Sequence, residues 1–278
     1  MHDLTISPPE NTPIWNAENY CLNSSIQFEG ANKLLKQTNF RGDESILDIG
    51  SGDGKVTAEI SSYIPKGKVI GIDSSDEMIQ YANRKFCSSD FPNISFSLQN
   101  AEKLNYESEF DVIFSSFALH WVKDLASFMK RAQRALKNGG KIAFIIPLGI
   151  SSPLEQVTEE IIKDPVWRSL FLEYSSPWEF LDVSEYKKMI TNAGFEIISF
   201  ELMHHTKPFD SIKSFKNYIF QWYPCINYVD YELREKFFNE VVDRYLEIEP
   251  CCPDGKVNFV FPRIDVIAVK KTLEPNFK

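Results

Sequence analysis

The stretch that decides the fold is ILDIGSGDGKVT, residues 46–57. A short apolar run, typical of a buried strand, contains Asp48 and leads into glycines at positions 50, 52 and 54 before helical spacing begins. A glycine-rich turn between a strand and a helix lets a ligand approach the backbone and directs free N–H groups toward it. The segment therefore predicts a ligand site at the end of a strand.

Strands and helices alternate along the chain from Ser45. Predicted strands cover residues 45–50, 67–73, 94–100, 110–117 and 141–147, and predicted helices cover 55–64, 74–86 and 124–136. Ser74 and Glu77 have the spacing of a capping box, and Asn138-Gly139-Gly140 is typical of a left-handed helix stop. The alternation predicts a doubly wound α/β sheet with its ligand beyond the carboxyl ends of the strands.

The whole chain, residues 1–278, is interpreted as a single domain. Its predicted parts are N-terminal helices at 14–40, a ligand-binding core at 41–147, and helical insertions at 151–182 and 210–255. The two insertions interrupt the late strands, so we expect them to form a lid.

Composition excludes several classes of protein. The net charge is −9 and the pI is about 5.1, which argues against nucleic acid and anionic membranes as partners. No stretch approaches a membrane span, and the N-terminus lacks the basic start and apolar segment of a signal peptide. Five cysteines without zinc-ligand spacing fit a reducing compartment. We expect a cytoplasmic protein, monomeric or dimeric, that acts on a small molecule.

Two ligand classes use such a glycine turn. A dinucleotide fingerprint, Gly-x-Gly-x-x-Gly counted from Gly50, requires glycine at position 55, where this chain has Lys55. Asp73 ends the second strand, and its carboxylate can accept hydrogen bonds from both hydroxyls of a ribose. Asp73 fits both ligand classes, whereas Lys55 disfavours a dinucleotide.

Four motifs resemble those of class I S-adenosylmethionine-dependent methyltransferases. They are ILDIGSGDG (46–54), VIGID (69–73), FDVIFSSFALHWV (110–122) and LKNGGKIAF (136–144). Together with NAGF (192–195), the resemblance covers residues 40–147 and, less closely, 183–202. It implies a Rossmann-like, seven-stranded, mostly parallel sheet with an antiparallel last strand.

Other short motifs narrow the resemblance. Trp15-Asn16 with Tyr20, the stretch NSSIQ (23–27) and Leu119-His120-Trp121 are most similar to trans-aconitate methyltransferases and insect juvenile hormone acid methyltransferases. Both groups methylate carboxyl oxygens of small molecules.

The resemblance implies S-adenosylmethionine as cofactor and S-adenosylhomocysteine as product. It places Asp48 and Gly50 beside the methionine end and Asp73 at the ribose, and it counts Gly52 among the cofactor-binding residues. The Ser116-Phe117 backbone is expected to hold the methionine ammonium.

The same resemblance assigns the adenine side to Ser74 and Met78, and it places Tyr20 over the methionine end. Asn100-Ala101 stands where the family usually has an acidic residue that meets the adenine amino group. An asparagine oxygen can still accept that hydrogen bond.

The acceptor is expected near Gln27, His120 and Trp121, which are the candidate catalytic residues. A carboxylate acceptor is already ionised near pH 7 and requires no general base. His204-His205 lacks partner ligands, so no metal site is predicted. Candidates for binding a second carboxylate are Arg168, Arg234 and Arg263.

Three alternatives stay open at this point. In the first, the methyl acceptor is a carbon, a nitrogen or a carrier-bound acyl group, which the same fold accommodates. The second is a protein that binds the cofactor without catalysis. The third is a dinucleotide oxidoreductase, which Lys55 disfavours and binding of NADH would favour.

Overall fold

A computed structural model describes residues 17–149, 152–178 and 180–272. The chain divides into two compact units. Among the described residues, the core unit contains 17–149, 152, 178, 180–207 and 260–272, and the helical unit contains 153–177 and 208–259. Trp15-Asn16 and the start of the predicted insertion at residue 151 lie outside the described residues.

The regular elements follow one another with short connections. In chain order they are α1 (Ala17–Asn23), α2 (Ser25–Thr38), β1 (Ser45–Ile49), α3 (Lys55–Tyr63), β2 (Lys68–Asp73), α4 (Asp76–Lys85), β3 (Ile94–Leu98), β4 (Phe110–Ser116), α5 (Leu125–Ala135), β5 (Leu136–Pro147), α6 (Pro153–Ile161), α7 (Val183–Asn192), β6 (Phe195–Phe209), α8 (Ile212–Phe220), α9 (Arg234–Ile248) and β7 (Val257–Lys270).

The sheet has seven strands in the order β3-β2-β1-β4-β5-β7-β6. Strands β1 to β5 pair in parallel, while β7 runs antiparallel to β5, from Lys141 opposite Val269 to Pro147 opposite Arg263. This confirms the predicted Rossmann-like, mostly parallel sheet with an antiparallel last strand. The strand order reverses between β1 and β4, and a crevice at such a point is where open α/β sheets bind ligands.

Both faces of the sheet are covered by helices. On one face Phe128 of α5 and Tyr186 of α7 are fully buried against the strands. On the other face Leu34 of α2 and Ile60 of α3 are buried in a second cluster. Apolar residues at helical spacing give each helix one apolar face that packs on the sheet. This produces the doubly wound arrangement that the sequence predicts.

Two local predictions are wrong by a few residues. Ser75, not Ser74, caps α4, because its hydroxyl accepts the Met78 N–H at 3.3 Å. The predicted partner, Glu77, instead accepts the Ala17 N–H at 3.0 Å. Helix α5 ends at Ala135, and Gly139, at φ +72°, lies within β5 rather than at a helix stop.

The helical unit has a core of its own, rich in aromatic side chains. Phe215 and Tyr223 are buried, and the Tyr223 hydroxyl lies 2.8 Å from the Thr158 hydroxyl. Arg244 pairs with Asp164 at 2.6 Å. None of the helices in the described ranges is both long and apolar enough to cross a membrane. The expectation that this unit forms a lid stays a prediction.

Gly54 provides a direct test of packing behind the glycine turn. It has φ +82°, and a Cβ there would lie 2.8 Å from the Phe86 ring and 2.9 Å from the Phe96 ring. Gly139 has a similar φ, but a Cβ there would meet nothing within 4 Å. We therefore expect Gly139→Ala to cost about 1–2 kcal/mol for the left-handed backbone alone. Gly54→Ala should cost about 1–3 kcal/mol more, because the aromatic neighbours must move.

Urea denaturation of the two variants and the wild type measures both costs. Equal free energies of unfolding for Gly54→Ala and Gly139→Ala would contradict the packing role of Gly54.

Candidate active site

The glycine turn after β1 is held by the end of β2. The backbone N–H groups of Gly50 and Ser51 both donate to the Ile72 carbonyl, at 2.8 and 3.0 Å. Gly50 has φ +70°, and a Cβ there would lie 2.2 Å from the Ala118 Cβ. The turn therefore requires glycine at position 50, both for its backbone conformation and for its approach to the end of β4.

Asp73 fixes the next glycine. One carboxylate oxygen accepts the Gly52 N–H at 3.0 Å, and the other accepts the Ser75 N–H at 2.9 Å. Burial raises the pKa of Asp73, and these backbone N–H bonds oppose that rise. Since a carboxylate has about four acceptor positions, two remain for hydroxyl groups of a ligand. The ribose-binding role of Asp73 stays a prediction.

Asp48 lies in β1 one residue before the strand ends, and it is 1% exposed. Its carboxylate accepts the Thr57 hydroxyl at 2.6 Å. Burial raises the pKa of Asp48 to about 7, against the lowering effect of the Thr57 hydrogen bond. A positively charged ligand group nearby would favour the ionised form of this carboxyl.

The N-terminal helices are fastened to the glycine turn. The Ser24 hydroxyl donates to Asp53 at 3.3 Å, and Lys55 lies 3.5 Å from the same carboxylate. The Lys55 ammonium also donates to the Ser24 hydroxyl and to the Cys21 carbonyl. Lys55, which the sequence marks as a departure from the dinucleotide fingerprint, therefore binds the segment that carries Tyr20.

Tyr20 lies beside the turn, because a Cβ built on Gly52 would be 3.5 Å from the Tyr20 ring. A cavity in the core unit has walls from α1, α2, the glycine turn and the end of β4. Six of the residues that line it are site residues predicted from the sequence: Tyr20, Gln27, Asp48, Gly50, Gly52 and Ser116. The other lining residues are Ser24, Phe28, Ser51, Asp53, Lys55 and Val56.

The end of β4 connects this cavity with α2. The Ser116 hydroxyl donates to the Gln27 carbonyl at 3.3 Å. Phe117 has φ +54°, a left-handed conformation that costs a non-glycine residue about 1–2 kcal/mol. Its N–H donates to the Ile145 carbonyl at 3.1 Å. Strained residues of this kind are found where surrounding structure enforces them, often at functional sites.

The residues predicted for the adenine side are more dispersed. Ser74 is exposed and Met78 is 3% exposed. The Asn100 side-chain oxygen accepts the Glu102 N–H at 2.7 Å, so it caps the short helix that begins at Ala101. Asn100 therefore has a structural partner that the sequence did not reveal.

His120 and Trp121 belong to an aromatic cluster past β4. Trp178 packs edge-on against Trp121 with ring centroids 5.3 Å apart, and it lies 6.0 Å from the His120 ring. Burial lowers the pKa of His120 to about 3, so its imidazole is neutral near pH 7. Its Nδ1 is buried without a hydrogen-bond partner in the part of the chain that the structure describes.

Trp178 was not predicted as a site residue. It is 57 positions from Trp121 and lies in SSPWEF, which has no strand or helix periodicity to place it. Gly149 admits the neighbouring Phe180, since a Cβ there would be 2.1 Å from the Phe180 ring. Only the fold brings Trp178 to this cluster.

Arg168 and Arg234 belong to the helical unit, and His204 and His205 belong to β6. Arg168 is exposed, and Arg234 donates to the Val229 carbonyl within the helical unit. His204 is exposed, and His205 packs on Phe261 at 5.2 Å. Over the described ranges, no group of three or more His, Cys, Asp and Glu side chains has a geometry suited to a metal ion.

A doubly wound sheet with a glycine turn and a carboxylate at its switch point is the arrangement found in nucleotide-binding α/β domains. Residues 46–140 match the family described as methyltransferase domain. A trans-aconitate 2-methyltransferase from Rhodopseudomonas palustris is 26% identical over 92% of this chain and 99% of its own length.

Solved structures show the same fold. The YcgJ protein from Bacillus subtilis has a TM-score of 0.61 and 19% identity, covering 88% of this chain and 100% of its own. Phosphoethanolamine N-methyltransferase 2 from Haemonchus contortus, solved with S-adenosylhomocysteine, has a TM-score of 0.57 and 18% identity, covering 88% of this chain and 53% of its own. The matched domain and these relatives support the interpretation of the chain as an S-adenosylmethionine-dependent methyltransferase.

We expect the Asp48 carboxyl to lower the stability of the ligand-free protein at neutral pH and to strengthen ligand binding. Its folded-state pKa is near 7, above the 3.8 of a free aspartate, so the folded protein holds a proton that the unfolded chain has lost. Stability without ligand should therefore fall as pH rises from about 4 to about 7. Asp48→Asn keeps a neutral acceptor for Thr57 and should stabilise the ligand-free protein at pH 8 by about 1–3 kcal/mol.

Thermal unfolding of wild type and variant at pH 5 and pH 8 measures this difference, which should shrink at pH 5. Binding of S-adenosylhomocysteine should weaken in the variant at pH 8. A variant that is destabilised equally at both pH values would contradict the buried, proton-binding state of Asp48.

Proposed function

We propose that this enzyme transfers a methyl group from S-adenosylmethionine to a carboxylate oxygen of a small molecule. The aromatic cluster of Trp121, Trp178 and His120 supports this proposal. Its titratable member, His120, is a neutral imidazole with a pKa near 3, so it is a poor general base. A carboxylate needs no base, because it is ionised at neutral pH.

The cofactor would be held along the switch point. Asp48, Gly50 and Gly52 would face its methionine end. The Ser116-Phe117 backbone would accept hydrogen bonds from the ammonium group. Asp73 would accept the ribose hydroxyls with the acceptor positions left free by its two backbone N–H bonds. Tyr20, fastened through Lys55 and Ser24, would cover the methionine end.

On the adenine side, Met78 and Ser74 would lie against the base, with Asn100-Ala101 at its edge. The Asn100 oxygen already accepts the Glu102 N–H, yet a carbonyl oxygen has a second lone pair for the adenine amino group.

When bound, S-adenosylmethionine supplies an electrophilic methyl on a sulfonium, and transfer breaks that S–C bond as an O–C bond forms. The chain contributes position and exclusion of water. Gln27 on α2 would form a hydrogen bond with an oxygen of the acceptor. Trp121 and Trp178 would line the acceptor pocket and exclude water from it. Orientation of this kind is worth roughly 7–11 kcal/mol of the barrier. Because opposite charges are neutralised in the transfer, a water-poor pocket favours it.

The trans-aconitate 2-methyltransferase of Rhodopseudomonas palustris supports a carboxylic acid as acceptor, since its name states one. The chain is 26% identical to that enzyme, so the particular acid does not transfer with the class. A carbon, nitrogen or carrier-bound acyl acceptor is the alternative.

Methyl-labelled S-adenosylmethionine tests the proposal when incubated with di- and tricarboxylic acids, fatty acids and a small-molecule extract. Mild base should then release labelled methanol, because it hydrolyses methyl esters. Label that survives base would contradict an ester and place the methyl on carbon, nitrogen or an alcohol oxygen. Binding of S-adenosylhomocysteine without any transfer to the extract would support a non-catalytic binder.

Trp121→Leu provides the control for the acceptor's location. We expect kcat/KM for the acceptor to fall about 10- to 100-fold, since small losses of alignment are costly. Affinity for S-adenosylhomocysteine should stay within about twofold, because Trp121 is placed on the acceptor side. An unchanged kcat/KM would remove Trp121 from the acceptor site.

A further inference from the structure

A buried ion pair lies at the ligand edge of the sheet. Arg263 and Asp265 are two residues apart in β7, so their side chains project from the same face, and they are 2% and 1% exposed. The guanidinium meets the carboxylate with Nε–Oδ1 at 3.0 Å and Nη2–Oδ2 at 3.1 Å. Arg263 lies opposite Pro147, the last residue of β5, and thus at the carboxyl edge of the parallel strands.

The guanidinium is sealed from solvent by α2 and the end of β4. A Cβ built on Gly30 of α2 would lie 2.7 Å from Nη1 of Arg263 and 3.1 Å from the Phe117 ring. The guanidinium carbon is 5.7 Å from the centre of that ring. Nη1 is buried and makes no hydrogen bond within the ranges that the structure describes. A group so enclosed is unsuited to bind the second carboxylate for which the sequence made Arg263 a candidate.

The same surroundings enforce the conformation of Phe117. Its left-handed backbone, at φ +54°, needs contacts that over-determine it. Phe261, two residues before Arg263 in β7, packs edge-on against the Phe117 ring with centroids 6.1 Å apart. The last strand therefore presents both an aromatic ring and a cation to the ring of Phe117, and arginine over an aromatic face is attractive.

We propose that Arg263 is a positioning residue of the active site. Oriented by Asp265, its guanidinium holds Phe117 in the left-handed conformation and so sets the Ser116-Phe117 backbone. Through Gly30 it also packs against α2, one turn after Gln27. The inference rests on the proposed function only for the placement of the methionine end at Ser116-Phe117, and it is independent of the acceptor.

A double-mutant cycle tests this role through the dissociation constant of S-adenosylhomocysteine, measured by calorimetry without any acceptor. Arg263→Lys keeps a cation for Asp265 but loses the planar group. We expect it to weaken binding about tenfold. Phe117→Ala should weaken binding as well, and the double variant should bind no more weakly than Phe117→Ala alone. A purely structural role would lower Tm and leave the dissociation constant unchanged.

Gly30→Ala is the second variant, because its methyl group displaces the guanidinium without removing the charge pair. It should weaken binding in the same direction. Wild-type affinity in both Arg263→Lys and Gly30→Ala would overturn the proposal, as would an undiminished effect of Arg263→Lys in the Phe117→Ala background. Wild-type affinity of Phe117→Ala alone would instead overturn the placement of the methionine end, and the positioning role with it.

Discussion

The carboxyl end of β2 governs the site through two adjacent acceptors. The Ile72 carbonyl takes the N–H groups of Gly50 and Ser51, and the Asp73 carboxylate takes the N–H of Gly52. Three consecutive donors of the turn are thereby tied to the neighbouring strand, and the turn keeps its left-handed glycines. Three site elements lie against this turn: α1 through Tyr20, α3 through Gly54 and the end of β4 through Ala118.

The sequence predicts the sheet and the turn well because both depend on local patterns. Apolar runs followed by glycine or aspartate mark β1 and β2, and α2 and α5 bury the apolar faces that their spacing indicates. Helix ends are predicted less well. The sequence favours Ser74 as the cap of α4 because Glu77 follows it at capping-box spacing, whereas the hydrogen bond from the Met78 N–H identifies Ser75 as the cap.

Local sequence patterns do not predict contacts between side chains that are far apart in the sequence. Trp178 joins Trp121 because the chain returns to the core unit at residue 178, before the end of the insertion predicted at 151–182. Arg263 is one of three arginines that sequence treats alike, whereas the fold buries it against Asp265 and Phe117. Lys55 stands where the dinucleotide fingerprint requires its last glycine. In the structure its ammonium donates a hydrogen bond to the Ser24 hydroxyl of the N-terminal segment.

We propose above all that Asp73, beside the glycine turn, binds the ribose of S-adenosylmethionine. Calorimetric titration of S-adenosylhomocysteine into wild type, Asp73→Asn and Asp76→Asn tests it most directly, with NADH as the competing ligand. We expect one site per chain and wild-type affinity in Asp76→Asn. Affinity should fall about 10- to 100-fold in Asp73→Asn, because hydrogen bonds to a charged group are lost. Wild-type affinity in Asp73→Asn, or binding of NADH at the same site, would contradict it.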